Sequence, residues 1–223
     1  MKTFKVLSVL LSYPQAEWID ELGLMEALLE EERERNRAAG SRLEDLFRTL
    51  RTESLLELEQ AYVAIFDRNP SNSLYLFEHV HGESRERGSA MINLLEEYRK
   101  HGLDMNGDEL PDYVPLFLEY LSLLPDKDAM AMLGEAVAVL ASIGHKLNGS
   151  NSPYHAVFSV LEGMSPVAAQ PLREVPVREM DETLVEFGAP ADGTEPLMVP
   201  KPQTAIVRMP RSHRAVPPHH GNG

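Results

Sequence analysis

Proline placement constrains this chain more than any other feature of its sequence. Six of its 16 prolines (Pro14, Pro70, Pro111, Pro115, Pro125 and Pro153) are dispersed before Ser165, and the other ten crowd the stretch from Ser165 to Gly223. Proline has no amide proton, and its ring clashes with the preceding helical turn, so no helix can run through such a density of it. The spacing therefore predicts two parts. Residues 1–164 form one folded domain, and residues 165–223 form a proline-rich, largely disordered tail.

Between the dispersed prolines the apolar residues recur at helical spacing. Phe4, Leu7 and Leu10/Leu11 predict a first helix closed by Pro14. Trp18, Leu22, Met25 and Leu28/Leu29 make a second stripe that ends before Gly40. Ser41-x-x-Glu44 reads as a capping box ahead of Leu43, Leu46/Phe47 and Leu50. Leu55, Leu58, Tyr62 and Ile65/Phe66 form a fourth helix, and Met91, Leu94/Leu95 and Tyr98 another, stopped by Gly102. Pro111 suits the first turn of the next helix, with Pro115 still tolerated there, ahead of Leu116/Phe117, Tyr120 and Leu123/Leu124. Ala129, Met132/Leu133, Ala136/Val137, Leu140 and Ile143 line a further helix with Gly144 near its end, and Ser152-Pro153 opens the last one. No segment sustains the alternation of a strand, so the expected fold class is all-α, a single helical bundle.

Charge and cysteine content remove several functions. The net charge is −14, and 28 acidic against 15 basic residues lie before Ser165. Nucleic-acid binders need cations to replace phosphate counterions, so no nucleic-acid partner is expected. The same acidity opposes docking on an anionic membrane. With no cysteine the chain cannot supply thiolate nucleophiles, disulfides, zinc thiolates or ligands for an iron–sulfur cluster. Lys2 and Lys5 precede the apolar run Val6–Leu11, but no small-residue cleavage site follows, and about 20 apolar residues are needed to span a bilayer. The expectation is a cytoplasmic protein with no direct membrane insertion.

Signatures of catalysis are weak. Gly82-Glu83-Ser84-Arg85-Glu86 begins like a nucleophile elbow, but Glu86 stands where the second glycine is needed and no strand precedes it. Glu78-x-x-His81 has the spacing of a di-iron ligand pair, which requires a second Glu-x-x-His that no other histidine provides. His79 and His81 could share a metal only on extended backbone, because i and i+2 point apart on a helix. Hydrogen-bonding groups that fix a tight turn are the better reading, and no metal is expected. His219-His220 reads as solvated terminus. The residues alone describe an acidic helical protein suited to holding a basic or amphipathic helix in a groove, where apolar anchors bind and carboxylates steer.

Three stretches carry a family resemblance: Tyr62–Arg68, Ser73–Gly88 and Glu109–Leu121. Their residues, order and spacing closely resemble the NarJ family of nitrate reductase assembly chaperones, within the wider TorD-like group of redox-enzyme maturation proteins. Leu7–Pro14 agrees, and past Met164 only Asp181–Gly188 resembles the family's acidic, Phe-Gly-ended tail. The resemblance implies a chaperone rather than an enzyme. Its client would be the immature catalytic (alpha) subunit of respiratory nitrate reductase, bound partly through the subunit's N-terminal peptide, a remnant of a twin-arginine signal. The chaperone would hold that subunit for insertion of molybdenum cofactor and an iron–sulfur cluster, without keeping a cofactor itself. Molybdenum cofactor biosynthesis proteins are a further class of partner. A different molybdoenzyme client is the alternative, and a metal-dependent enzyme using Glu78, His79, His81 and Glu83 is the remote one.

On that reading the expected groove lies among the Tyr62–Phe66 helix, the Glu78–Gly88 turn and the helix opened by Pro111-Asp112. Phe66, Leu74, Phe77 and Tyr113 would give apolar contacts, and Glu78, Glu83 and Asp112 would meet peptide cations. Arg85 and Arg87 would orient those carboxylates. Tyr62, His79, His81 and Pro111 complete the expected contact set. Gly82 and Gly88 would permit a bend, with Ser84 and Pro115 shaping turns.

Overall fold

The computed structural model describes residues 1–33, 43–82, 84–103 and 109–172. Among these residues ten α-helices follow one another: α1 (Lys2–Leu10), α2 (Ala16–Ile19), α3 (Leu22–Arg33), α4 (Glu44–Thr52), α5 (Leu55–Tyr62), α6 (Leu76–His81), α7 (Arg85–Lys100), α8 (Val114–Leu123), α9 (Asp126–Gly149) and α10 (His155–Met164). A π-helical segment, Val63–Asp67, continues α5, and a short 3₁₀ turn covers Pro70–Asn72. Among the described residues there is no strand, only one isolated antiparallel bridge between Tyr75 and Tyr113. The fold is all-α, as the apolar spacing predicts.

The centre is built from α1, α8, α9 and α10. Phe4, Leu7 and Leu10 of α1 and Leu11 after it are fully buried, as are Leu118 and Leu121 of α8. Burial of each such side chain stabilises the fold by about 1.5–3 kcal/mol. Across this contact Ser8 Oγ donates to the Pro115 carbonyl at 2.7 Å. α9 and α10 pack still closer: a Cβ placed on Gly144 would stand 2.6 Å from Phe158 Cβ. Gly144 lies near the end of the 24-residue α9, as expected, and marks the point where α10 presses on that helix. By length and composition α9 alone among the described residues could cross a membrane; here its face from Ala129 through Leu133, Leu140 and Ile143 to Leu147 joins the core.

Several local expectations change. Helix α8 begins at Val114, so Pro115 occupies the first turn and Pro111 stands in the turn before it. The Trp18–Leu29 stripe is broken at Asp20 into α2 and α3. Ser41 lies outside the described residues, and the capping box observed is Ser54 with Glu57: the Ser54 amide donates to Glu57 Oε2 at 2.8 Å, and the Glu57 amide donates to Ser54 Oγ. Past the boundary expected at Met164, Val167 lies over Gly134 and Leu172 packs against the core.

Candidate functional site

Between α5 with its π-helical extension, the 73–78 segment and the 109–113 turn lies a cleft of about 560 Å³. A short backbone pairing builds its wall. The Leu76 amide donates to the Asp112 carbonyl at 3.0 Å, and the Val114 amide donates to the Leu74 carbonyl at 2.7 Å. Asp112 then caps α6 from outside that helix: its Oδ2 accepts the Phe77 amide at 3.0 Å. This pairing sets Tyr75 beside Tyr113, with ring centroids 5.5 Å apart.

The floor is aromatic. Tyr62 and Phe66 sit one turn apart with centroids at 4.9 Å, and Tyr154 packs edge-on against both from α10's side. Tyr62 donates its one hydroxyl proton to the Leu11 carbonyl at 2.9 Å. At its 3.0 Å contact with the Tyr113 hydroxyl it must therefore accept. Tyr75 likewise donates to Glu109 Oε2 at 3.0 Å, and Ser73 Oγ donates to Glu78. Burial pushes the Tyr62, Tyr75 and Tyr113 phenols above their ordinary range, so they stay protonated at neutral pH. Among the described residues the lining contains the carboxylates of Asp67, Glu78 and Glu109 and no basic side chain. The lining hydroxyl protons of Tyr62, Tyr75, Tyr113 and Ser73 all point at protein acceptors. The cleft can thus hold an apolar side chain on its floor and offer acceptors to a cation at its rim.

Five of the expected contact residues line this cleft together: Tyr62, Phe66, Leu74, Glu78 and Tyr113. Tyr62, Phe66 and Leu74 are its buried base, whereas Tyr113 is partly exposed. Phe77, His79, His81, Arg85 and Pro111 stand outside it. Phe77 packs against the His81 ring at 5.9 Å. His79 Nε2 donates to the Ser73 carbonyl at 2.8 Å, and burial holds its imidazole below the ordinary histidine range. His81 Nδ1 lies 3.6 Å from Glu86. Glu78, His79 and His81 thus serve three different partners, and no group of three or more metal-ligating side chains converges among the described residues. The Pro111 carbonyl accepts from Tyr98 Oη at 2.7 Å.

Asp112 corrects its expected role. It is fully buried, so it cannot face a peptide; burial raises its carboxyl pKa, and its work is to cap α6. Arg87 does hold a carboxylate, with Nη2 3.1 Å from Glu78. Arg85 is exposed and has no ion pair among the described residues. Gly82 makes the expected bend at φ +54° and Ser84 is the N-cap of α7. Gly88 makes none, because it lies inside α7 with open space around it. Glu83 lies outside the described residues. Tyr13, Asp67, Pro70, Ser73, Tyr75 and Glu109 were not expected to line the cleft. Asp67, Ser73, Tyr75 and Glu109 all fall within the three family-like stretches, which was the available signal.

A crystal structure assigned as a redox enzyme maturation protein of Archaeoglobus fulgidus covers 71% of this chain and 89% of its own, at 25% identity and a TM-score of 0.48. NarW of Escherichia coli K12, named as a probable nitrate reductase molybdenum cofactor assembly chaperone, is 40% identical over 186 residues, 82% of this chain and 78% of its own. NarJ of the same strain, named as a nitrate reductase molybdenum cofactor assembly chaperone, is 41% identical over 160 residues, 70% of this chain and 66% of its own. A probable NarJ of Bacillus subtilis 168 is 33% identical over 184 residues, 82% of this chain and 95% of its own. The profile of the family described as nitrate reductase delta subunit matches residues 21–159, and the chain belongs to that family.

Proposed function

We infer that this protein is a system-specific assembly chaperone, not an enzyme, for the molybdenum-containing catalytic subunit of respiratory nitrate reductase. It binds that subunit's N-terminal peptide in the Tyr62–Tyr113 cleft and holds the subunit, in the cytoplasm, while molybdenum cofactor and an iron–sulfur cluster are inserted. The named relatives support the chaperone role. The observation that carries the binding mode is a cleft with an aromatic floor and, among the described residues, three carboxylates and no basic side chain in its lining. An amphipathic helix with apolar anchors and cationic flanks fits that surface, and the acidic rim speeds its encounter. Affinity between micromolar and tens of nanomolar is expected, on the order of −8 to −10 kcal/mol, because the chaperone must release its client.

Calorimetric titration with a synthetic N-terminal peptide of the catalytic subunit, at two salt concentrations, tests this reading. Saturable binding that weakens with salt is expected, and the double substitution Asp67→Asn, Glu109→Gln reduces both the affinity and its salt dependence. Absence of binding to an intact peptide contradicts the reading.

A further inference from the structure

Glu78 is shared between the cleft and the interior. It lines the cleft, its Oε2 accepts from Ser73 Oγ, and its Oε1 lies 3.1 Å from Arg87 Nη2. Among the described residues it is the one cleft carboxylate held in an ion pair; Asp67 and Glu109 have none. The same Arg87 Nη2 stands 3.9 Å from Oδ2 of the fully buried Asp112. Two further buried atoms there, Arg87 Nε and Asp112 Oδ1, have no hydrogen-bond partner.

Those two orphans belong together. A guanidinium grips a carboxylate best through two parallel bonds, and Nε with Nη2 forms one such edge. Nε opposite Oδ1 and Nη2 opposite Oδ2 would complete a side-on pair, and the second of these contacts is already within about an ångström of bonding distance. Arg87 therefore has a ready second partner that its present contact with Glu78 leaves unsatisfied. The neighbouring acid on α7, Glu86, is turned to His81, so it does not compete.

We propose that Arg87 is a displaceable internal cation: a cationic side chain of the bound peptide takes its place on Glu78, and Arg87 closes onto Asp112 as a side-on pair. This rests on the cleft being the peptide site. Glu78 and Arg87 each keep a partner in both states, so the exchange leaves neither of those charges alone. Asp112 also caps α6 through the Phe77 amide, and Arg87 is in the first turn of α7. Recognition of a client cation is thereby passed to both helices. A peptide without cations can fill the aromatic floor and leave Arg87 where it is.

The test follows the Arg87 Nε–H resonance of the full ¹⁵N-labelled chain, assigned by its loss in Arg87→Lys. The chain is titrated with the N-terminal peptide and with the same peptide carrying Gln at every Arg and Lys. The expected result is a shifted, more slowly exchanging Arg87 Nε–H with the cationic peptide alone. In calorimetry Arg87→Gln is expected to tighten the cationic peptide about three- to tenfold and to leave the Gln peptide nearly unchanged. If the wild-type resonance stays still while the cationic peptide binds, or moves equally with both peptides, the exchange is wrong although the cleft stands. Equal weakening of both peptides by Arg87→Gln also overturns it. If neither peptide binds the wild-type chain, the cleft reading falls and this inference falls with it.

Discussion

Helix α9 keeps a face from Ala129 to Leu147 in the core along 24 residues, whereas α7, 16 residues long, fully buries only Tyr98. Ile92 of α7 is 60% exposed. What α7 lacks in apolar contact it replaces with a few individual ties: Tyr98 Oη on the Pro111 carbonyl, the Tyr98 ring against Tyr120 at 4.5 Å, and Arg87 on Glu78. The scaffold is thus held by packing, which tolerates little change in shape, and the α6–α7 limb beside the cleft by individual bonds that can be exchanged. A chaperone needs both, a rigid frame to preform the cleft and a looser limb that can respond to a client.

Substitutions on the two sides should therefore differ in size and reach. The largest effect is expected for Gly144→Ala, whose new methyl meets Phe158 Cβ at 2.6 Å. A loss of about 2–3 kcal/mol in urea unfolding is expected from such overpacking; a neutral result would show that α9 and α10 can shift apart. Tyr98→Phe removes one buried bond and should cost about 1 kcal/mol. Its signature is faster amide exchange in α7 with α9 unaffected. Equal loss of protection in both helices would erase the distinction between frame and limb.

A smaller effect concerns pH. Burial lowers the His79 pKa, so between that lowered value and the ordinary histidine value near 6.5 the unfolded chain binds more protons than the folded one. Stability should fall as pH drops through that window, and His79→Gln should flatten the slope. An unchanged slope would move the titration elsewhere. The smallest effect is expected for Lys5→Ala, which breaks an exposed pair with Glu119 on the scaffold surface; chemical denaturation should place it within about 0.5 kcal/mol of the parent.

The frame was largely legible in the sequence, because a helix that packs on a core must repeat apolar residues along one face. Phe4, Leu7 and Leu10 announce α1, as Leu133, Leu140 and Ile143 announce α9. Gly144 was read only as lying near the end of its helix, which it does; that it is also a point of close approach shows only once its partner Phe158 is in place. Gly88 misled, because a glycine read as a bend lies inside α7 with open space around it. The cleft was half legible. Tyr62, Phe66 and Tyr113 are chemically conspicuous; Asp67 follows Phe66 in the same segment and Tyr13 packs on Tyr62, but Glu109 joins them through a short backbone pairing at Tyr75 and Tyr113, too short to show an alternating pattern. Asp112 reads as a surface acid; its burial follows from that same pairing, which turns its side chain onto the Phe77 amide.

The most direct test of the account is amide hydrogen exchange of the full chain with and without the catalytic subunit's N-terminal peptide. The account expects new protection concentrated around Tyr62–Asp67, Tyr75–Glu78 and the segment ending at Tyr113, with the α9 core unchanged. Binding that protects the α3–α4 side and leaves those cleft segments exchanging as before would contradict it.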